Sequence, residues 1–303
     1  MKFNQLRDFV AVAENGSLRG AARALGLSQP AITKSVRELE HSLGAQLFIR
    51  EARGVTLTPV GETFLQRASH ILGEIRRTRE TVSQQQGGVE GALVVGMSMS
   101  AHLGILGGVV GPFRERYPNV RLRLIEGLLT TLESDLRTGA MDLYVGPVPQ
   151  EEVAPDLHAA RLLENERVVI ARRGHPLAEA TALSDLKDVE WLTTSLTQDA
   201  DEEVSAVFET HGLSRPNLVC QCQSALSILT LLVNSDMMAI VPVQWADSPM
   251  LDRWLQPVPL QETFAAPPIM LVHRAGLGLT PAAEHFVHLV RRACRLPAVL
   301  GDN

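Results

Sequence analysis

The sequence is poor in the residues that usually carry covalent cross-links or catalysis. Three cysteines occur in 303 residues, Cys220, Cys222 and Cys294. An odd number without framework spacing excludes a disulfide scaffold and points to a reducing, cytoplasmic compartment. Cys220 and Cys222 lie two apart in the strand-like run NLVCQC and would share one face, where small apolar packing is the plainer reading beside redox sensing. There is no G-x-G-x-x-G, Walker loop, H-E-x-x-H or G-x-S-x-G, and Gly276 to Gly278 runs into Pro281, which spoils it as a dinucleotide loop. His285 and His288, three apart, have no evident third donor for a metal. The chain therefore reads as a non-enzyme without a cofactor or metal. Long apolar runs are also missing. The first, FVAVA, is bounded by Asp8 and Glu14 and is too short for a secretion signal. Residues 91–113 lack Asp, Glu, Lys and Arg but carry six glycines and a polar middle from Ser98 to His102. That middle would sit unsatisfied at a bilayer centre, so strand, polar turn and helix is the reading, with no membrane partner.

What is present suits a folded chain of about two domains, or three small ones. Hydrophobic residues make up 45% and charged residues 20%, enough to bury cores. The net charge of −6 speaks weakly against a polyanionic partner, but it hides a split. Residues 1–90 carry 12 Lys and Arg against 9 Asp and Glu, and the rest carries 16 against 25. A mildly basic head on an acidic body fits a DNA-binding module joined to something that stays off phosphate.

The head has strong local signals. Leu6, Phe9, Val10 and Ala13 repeat at helical spacing, and Asn15-Gly16 ends that helix. Ser17 caps a second helix from Leu18 to Leu25, in which Gly20 reads as a weak spot. Gly26 turns the chain, and Ser28 caps a third helix with Pro30 in its first turn and Ile32, Val36, Leu39 and Leu43 as its buried stripe. Two short apolar runs then flank Arg50 to Gly54 as a hairpin with a basic tip. This is a helix-turn-helix with a wing. The third helix would meet base edges in the major groove through Gln29, Pro30, Thr33, Lys34 and Arg37. Gln suits adenine, Pro and the Thr methyl suit a thymine methyl, and Lys reaches guanine or phosphate. Arg50 and Arg53 suit phosphate or a narrow minor groove.

A helical stretch over about 60–86 follows, with Phe64 or Leu65, Ala68, Leu72, Ile75 and Val82 as an apolar seam that suits pairing with a second copy. Gln84 to Gly91 reads as a linker. Beyond it, strands at 92–97, 120–126, 141–146, 166–172, 189–193, 217–222, 237–241 and 268–273 alternate with helices near 102–116, 130–138, 183–187, 200–211, 224–234 and 280–295. Such alternation predicts α/β units around a largely parallel sheet.

The head resembles the N-terminal domain of the LysR-type transcriptional regulators. The residues that carry the resemblance are Ser17, Ala21-Ala22, Leu25, Leu27-Ser28-Gln29-Pro30-Ala31, Leu39-Glu40, Leu43-Gly44, Leu47-Phe48, Arg50, Leu57-Thr58 and Gly61. Thr33 stands where the family usually has Ser, and Gly20 is less usual in its helix. The resemblance implies an α/β protein with an N-terminal all-α winged helix-turn-helix and a C-terminal two-lobed domain of the periplasmic-binding-protein-like type II kind. Mapped onto this chain, that is a DNA-binding domain at 1–60, a dimerisation helix and hinge at 61–90, and an effector-binding domain at 91–303. Lobe I would be 91–162 with 268–303, and lobe II 163–267. It also implies double-stranded DNA at near-palindromic promoter sites, dimers that pair into tetramers, RNA polymerase as a further partner, and a small-molecule effector between the lobes.

Physics places that effector in part. In open α/β sheets, ligands sit beyond the carboxyl ends of strands and near helix N-termini. Four segments meet this description: Ser98-Met99-Ser100 with His102, Thr130-Thr131, Thr194-Ser195, and Gln223-Ser224. Gly146-Pro147 would lie at the crossover between lobes. Their hydroxyls and helix N–H groups favour a small organic acid or anion, although each segment alone also reads as a helix cap. A solute-binding transport component and an α/β enzyme on the same scaffold are the rival readings. The first lacks its signal peptide, and the second lacks a nucleophile or cofactor loop.

Overall fold

The computed structural model describes residues 1–51, 54–85, 90–148, 153–193, 200–222, 224–276 and 278–295. The expectations for Arg53, Thr194, Ser195 and Gln223 fall outside these residues, as does the side chain of Arg50.

Three helices form the head: α1 (Phe3–Asn15), α2 (Leu18–Leu25) and α3 (Gln29–Leu43). Ser17 Oγ accepts from Gly20 N at 3.0 Å and Ser28 Oγ from Ala31 N at 3.4 Å, so two serines satisfy helix N–H groups that have no partner within the helix. Gly26, between α2 and α3, has φ +64°, a left-handed turn that a side chain would strain. Gly20 is not the weak spot its helix propensity suggests. A Cβ there would stand 2.7 Å from Ser17 Oγ, so the cap needs a residue without a side chain. Phe9 is fully buried, its ring 5.1 Å from those of Phe48 and Phe64. Strands β1 (Phe48–Glu51) and β2 (Gly54–Leu57) pair antiparallel as the wing. The wing is tied to α3 by the Glu40 carboxylate, which accepts from Leu47 N at 2.9 Å and Phe48 N at 3.2 Å.

Helix α4 (Pro59–Gln85) starts against the wing, where a Cβ on Gly61 would come within 2.1 Å of Leu47 O. The seam expected to face a second copy is used differently in its first half. Ala68 is buried, and Phe64, Leu65 and Leu72 pack with it on the core of α1 to α3. The apolar face of α1 in the same chain reaches them without any cost of association, and this is why they are covered there. Val82 stays half-exposed, and Gln84 and Gln85 are helical rather than linker.

The body holds β3 (Glu90–Met97), α5 (Met99–Ala101), a π turn (His102–Leu106), α6 (Gly107–Arg116), β4 (Asn119–Glu126), α7 (Leu129–Thr138), β5 (Leu143–Pro147) and β6 (Leu157–Arg172). There follow a 3-10 turn (Leu183–Leu186), β7 (Glu190–Thr193), α8 (Ala200–Thr210), β8 (Asn217–Gln221), α9 (Ala225–Asn234) and β9 (Ala239–Pro242). A second 3-10 turn (Val243–Trp245), β10 (Leu255–Pro257), β11 (Phe264–Arg274) and α10 (Pro281–Arg295) complete it. The main sheet runs β10-β6-β11-β5-β3-β4, with β9 also on β6. It is mixed, which corrects the expectation of a largely parallel sheet. Only β4-β3-β5 is parallel, and β11, β6, β9 and β10 join antiparallel. The strands expected at 166–172 and 268–273 are the apolar ends of β6 and β11, whose other halves carry polar and proline residues and give no apolar run. β7 and β8 form a separate parallel pair.

β6 and β11 run through both lobes. Their register slips between Ala266 and Ile269, and Asn165 Nδ2 donates to Pro267 O there at 3.3 Å, while Gln244 Nε2 donates to Asn165 Oδ1 at 3.0 Å. One lobe has its core around Val95, Phe113, Leu143 and Phe286, the other around Val169, Trp191, Phe208 and Ile240. Among the described residues no helix is long and apolar enough to cross a membrane, and no group of three or more His, Cys, Asp and Glu could hold a metal. Phe9→Ala is expected to cost about 3–5 kcal/mol, read as a lower urea midpoint for the full chain.

Candidate functional site

The two faces of α3 are chemically opposite. Ile32, Val36 and Leu39 are buried, whereas Gln29, Pro30, Lys34 and Arg37 are exposed and Thr33 is half-buried. Thr33 Oγ1 donates to Gln29 O at 2.9 Å, so its hydroxyl is turned to its own helix. The Lys34 side chain is 80% exposed and 3.9 Å from Glu38, a loose pair that leaves the ammonium available to phosphate. On α2, Arg19 and Arg23 are exposed and one turn apart. The sequence reading passed over them, although their spacing of four was its visible signal. In a helix-turn-helix the first helix is the one that crosses the DNA backbone, and α2 holds that place in the order of the motif.

In the body, three connections meet at one end of the sheet. Ser98 N donates to Val145 O at 3.0 Å, and Gly127 N donates to Met97 O at 3.1 Å. Between them lies the buried Tyr144 hydroxyl, which donates to Pro147 O at 3.2 Å and accepts the Leu129 N–H. Burial drives this phenol far above its ordinary range, so it stays a neutral donor. A Cβ on Gly146 would meet the Tyr144 hydroxyl at 2.4 Å and Ser98 Cβ at 2.8 Å. The structure thus brings Ser98, Gly146, Pro147 and the start of α7 together around a tyrosine that the sequence reading missed, because Tyr144 looks like an ordinary strand residue.

The neighbouring candidates divide. Ser98 does cap its helix, accepting from Ala101 N at 3.3 Å, and Ser100 is buried. Met99 and Leu103 reach across to the lobe II cluster of Cys222, Ile228, Leu232 and Trp245. His102 Nδ1 lies 3.0 Å from Ser98 O, turned back on its helix, within a π turn. Thr130 and Thr131 are exposed, and capping is not their role. The N-cap of α7 is Leu128, and Thr131 Oγ1 donates to Leu128 O at 2.8 Å, a carbonyl in place of an N–H. Ser224 precedes α9 without a side-chain cap bond.

Residues 3–62 match the family model of the bacterial regulatory helix-turn-helix protein, lysR family, and residues 86–295 that of the LysR substrate binding domain. The chain belongs to the LysR family. It is a DNA-binding transcriptional regulator with a substrate-binding domain. It is 27% identical to the transcriptional regulator TdcA of Escherichia coli K12 over 292 residues, 96% of this chain and 92% of TdcA. It is 30% identical to the regulator GalR of Pseudomonas putida over 289 residues, 95% of this chain and 73% of GalR. The crystal structure of CbnR, a LysR family transcriptional regulator, superposes with TM-score 0.71 at 25% identity, covering 97% of this chain and all of CbnR.

Two further features belong to lobe II of this LysR regulator. Cys222 N donates to Thr193 O at 3.0 Å, which aligns the ends of β7 and β8. Thr193 is buried, and its hydroxyl has no hydrogen-bond partner among the described residues. The sequence reading placed its hydroxyls one residue later, at Thr194-Ser195. Cys220 and Cys222 do share a face, their sulfurs 3.7 Å apart. Burial, then Cys220, pushes the Cys222 thiol up, and burial pushes Cys294 up to about 11, so these two thiols are held protonated and suit packing better than redox chemistry. Tyr144→Phe strips the bridge between α7 and Pro147, and a loss of roughly 1–3 kcal/mol is expected. An unchanged melting temperature would show that the hydroxyl holds nothing.

Proposed function

We propose that this LysR regulator reads DNA with the exposed face of α3 and is controlled by a small organic acid or anion held between its lobes. The exposed row of Gln29, Pro30, Lys34 and Arg37, opposite a fully apolar face, is the observation that supports the first part. Base readout falls to Gln29, Pro30 and the Thr33 methyl, with Lys34 and Arg37 on guanine or phosphate. Arg50 and Arg53 of the wing, with Arg19 and Arg23 of α2, would hold the backbone. Structural likeness to CbnR bound to its target DNA, with TM-score 0.69, supports the same use of the head.

The effector reading rests on the Tyr144 knot. It places Ser98, Gly146, Pro147 and Thr130-Thr131 at one strand-end surface of lobe I, beside Met99, Ser100 and His102. The facing lobe would contribute Thr193 and Ser224, with Thr194, Ser195 and Gln223 included on sequence position alone. Hydroxyls and helix N–H groups there suit a carboxylate. Such a ligand shifts the lobes only if it binds one arrangement more tightly than the other. The chain would act in the cytosol as a dimer of dimers on near-palindromic sites and pass its state to RNA polymerase. The half-exposed Val82 side of α4 remains available for pairing. No step of this reading requires a catalytic group.

Two experiments address the parts separately. Lys34→Ala is expected to weaken binding to a target duplex across all sequences and to reduce the slope of log K against log salt by about 0.9. Gln29→Ala should relax base preference by about 1–3 kcal/mol at one position. If affinity and preference survive both changes, α3 is not the reader. For the effector, a thermal-shift screen of small organic acids should yield a ligand whose stabilisation is lost in Ser100→Ala. Crystallographic density for that ligand outside the cleft would remove these residues from the site.

A further inference from the structure

We infer that Cys220 and Cys222 form a dithiol site for a trivalent organoarsenical, R–As(OH)2, whose arsenic bridges the two sulfurs at the carboxyl end of β8. The inference goes beyond the organic-acid reading above and does not depend on it.

β8 lies on β7 with Leu192 opposite Cys220, and Cys222 N donates to Thr193 O at 3.0 Å. Residues two apart on a strand point to one side. Burial alternates accordingly, with Asn217, Val219 and Gln221 exposed and Leu218 and Cys220 half-buried. Both thiols are free, and their sulfurs stand 3.7 Å apart. One tetrahedral atom with bonds of about 2.3 Å, the zinc–thiolate length, holds two sulfurs about 3.8 Å apart. A single bridging atom therefore fits with little movement of the strand. Access differs between the two thiols. Cys222 is 6% exposed, whereas Cys220 is half-buried and offers the point of first attack.

Three kinds of chemistry can join such a pair, and the surroundings separate them. A disulfide favours Cα atoms roughly 5.5–6 Å apart. Residues two apart on an extended strand stand about 6.6–6.8 Å apart, so oxidation has to buckle β8 away from β7. A zinc ion needs two further donors, and among the described residues no third His, Cys, Asp or Glu joins the pair. Zinc also requires thiolates. Burial, followed by Cys220, pushes the Cys222 thiol up and so opposes its charged form. A trivalent arsenic atom that carries its own organic group needs only two protein sulfurs, and its product is neutral. The step balances without an oxidant. Two As–O bonds break and two As–S bonds form, each thiol proton leaves with a hydroxide as water, and arsenic stays trivalent.

The neighbours suit the organic group. Cys222 belongs to the buried cluster of Leu192, Ile228, Leu232 and Trp245, and Met99, Met237 and Cys220 pack against that cluster. Thioether side chains are polarisable and fill irregular gaps. A phenyl or methyl group on arsenic would thus rest on apolar and sulfur-bearing side chains from both lobes. The third cysteine is a built-in control. Cys294 of α10 packs on the lobe I core and offers one sulfur alone.

The test combines intact mass spectrometry with thermal melting of the full-length chain. The probe is phenylarsine oxide, the dehydrated form of such an acid, in the presence of excess monothiol. Wild type and Cys294→Ala should each take up one phenylarsine oxide with loss of one water and melt at a higher temperature. Cys220→Ala and Cys222→Ala should each hold the probe at least tenfold less tightly, because a single As–S bond exchanges with the monothiol. An adduct that is absent from wild type, lost in Cys294→Ala or retained in Cys220→Ala would overturn the site. A lower melting temperature for the wild-type adduct would show that the probe takes the pair only in the unfolded chain, which overturns it too. Should Cys222→Ala fail to fold, the half-buried Cys220→Ala decides.

Discussion

The pairing of β6 with β11 is the constraint on which the body depends. Among the described residues these antiparallel strands are the only long elements common to both lobes, and they turn what would be two α/β units into one mixed sheet. Their register slips near Pro267, where Asn165 covers the Pro267 carbonyl. Because β11 also pairs with β5, the same strand fixes the lobe I end of the cleft. A ligand between the lobes would therefore meet one wall held by parallel strands and another carried on a two-strand connection.

The head follows a simpler logic. The starts of α2 and α3 each find a serine hydroxyl and each turn a residue able to take its backbone shape, and the apolar stripes then meet around Phe9. The polar face of α3 stays in solvent because its residues could not be buried without leaving donors and charges unpaired. The proposed DNA-reading face and the stability of the head thus share one amphipathic helix. The first half of α4 completes that core, and its second half turns to charge for its attachment to lobe I. The two attachments differ in kind, apolar packing in the first half and a buried ion cluster in the second.

Much of the head was legible before any coordinates, because caps, glycine turns and stripes such as Ile32, Val36 and Leu39 act within a few residues of each other. The body was legible in element type and less so in extent. The polar half of β6 is exposed and carries no apolar period, so it gave no strand signal. Thr131 had the composition of a cap, but its hydroxyl donates to a carbonyl. Tyr144 and Asp142 gave no signal, since a single tyrosine in a strand and a single aspartate in a turn are common. Their importance comes from partners 15 to 66 residues away.

By itself the sequence determined the helix-turn-helix, the polar face of α3, the split of charge between head and body, and the alternation of strands and helices. These are short-range matters of propensity, capping and periodicity. Only the tertiary structure decided that Phe64, Leu65 and Leu72 lie on their own head, that the sheet is mixed, and that Arg76 and Arg77 converge on Asp142. Those choices depend on which surfaces meet once the chain is folded, and burial acts on neighbours in space, whatever their distance along the chain.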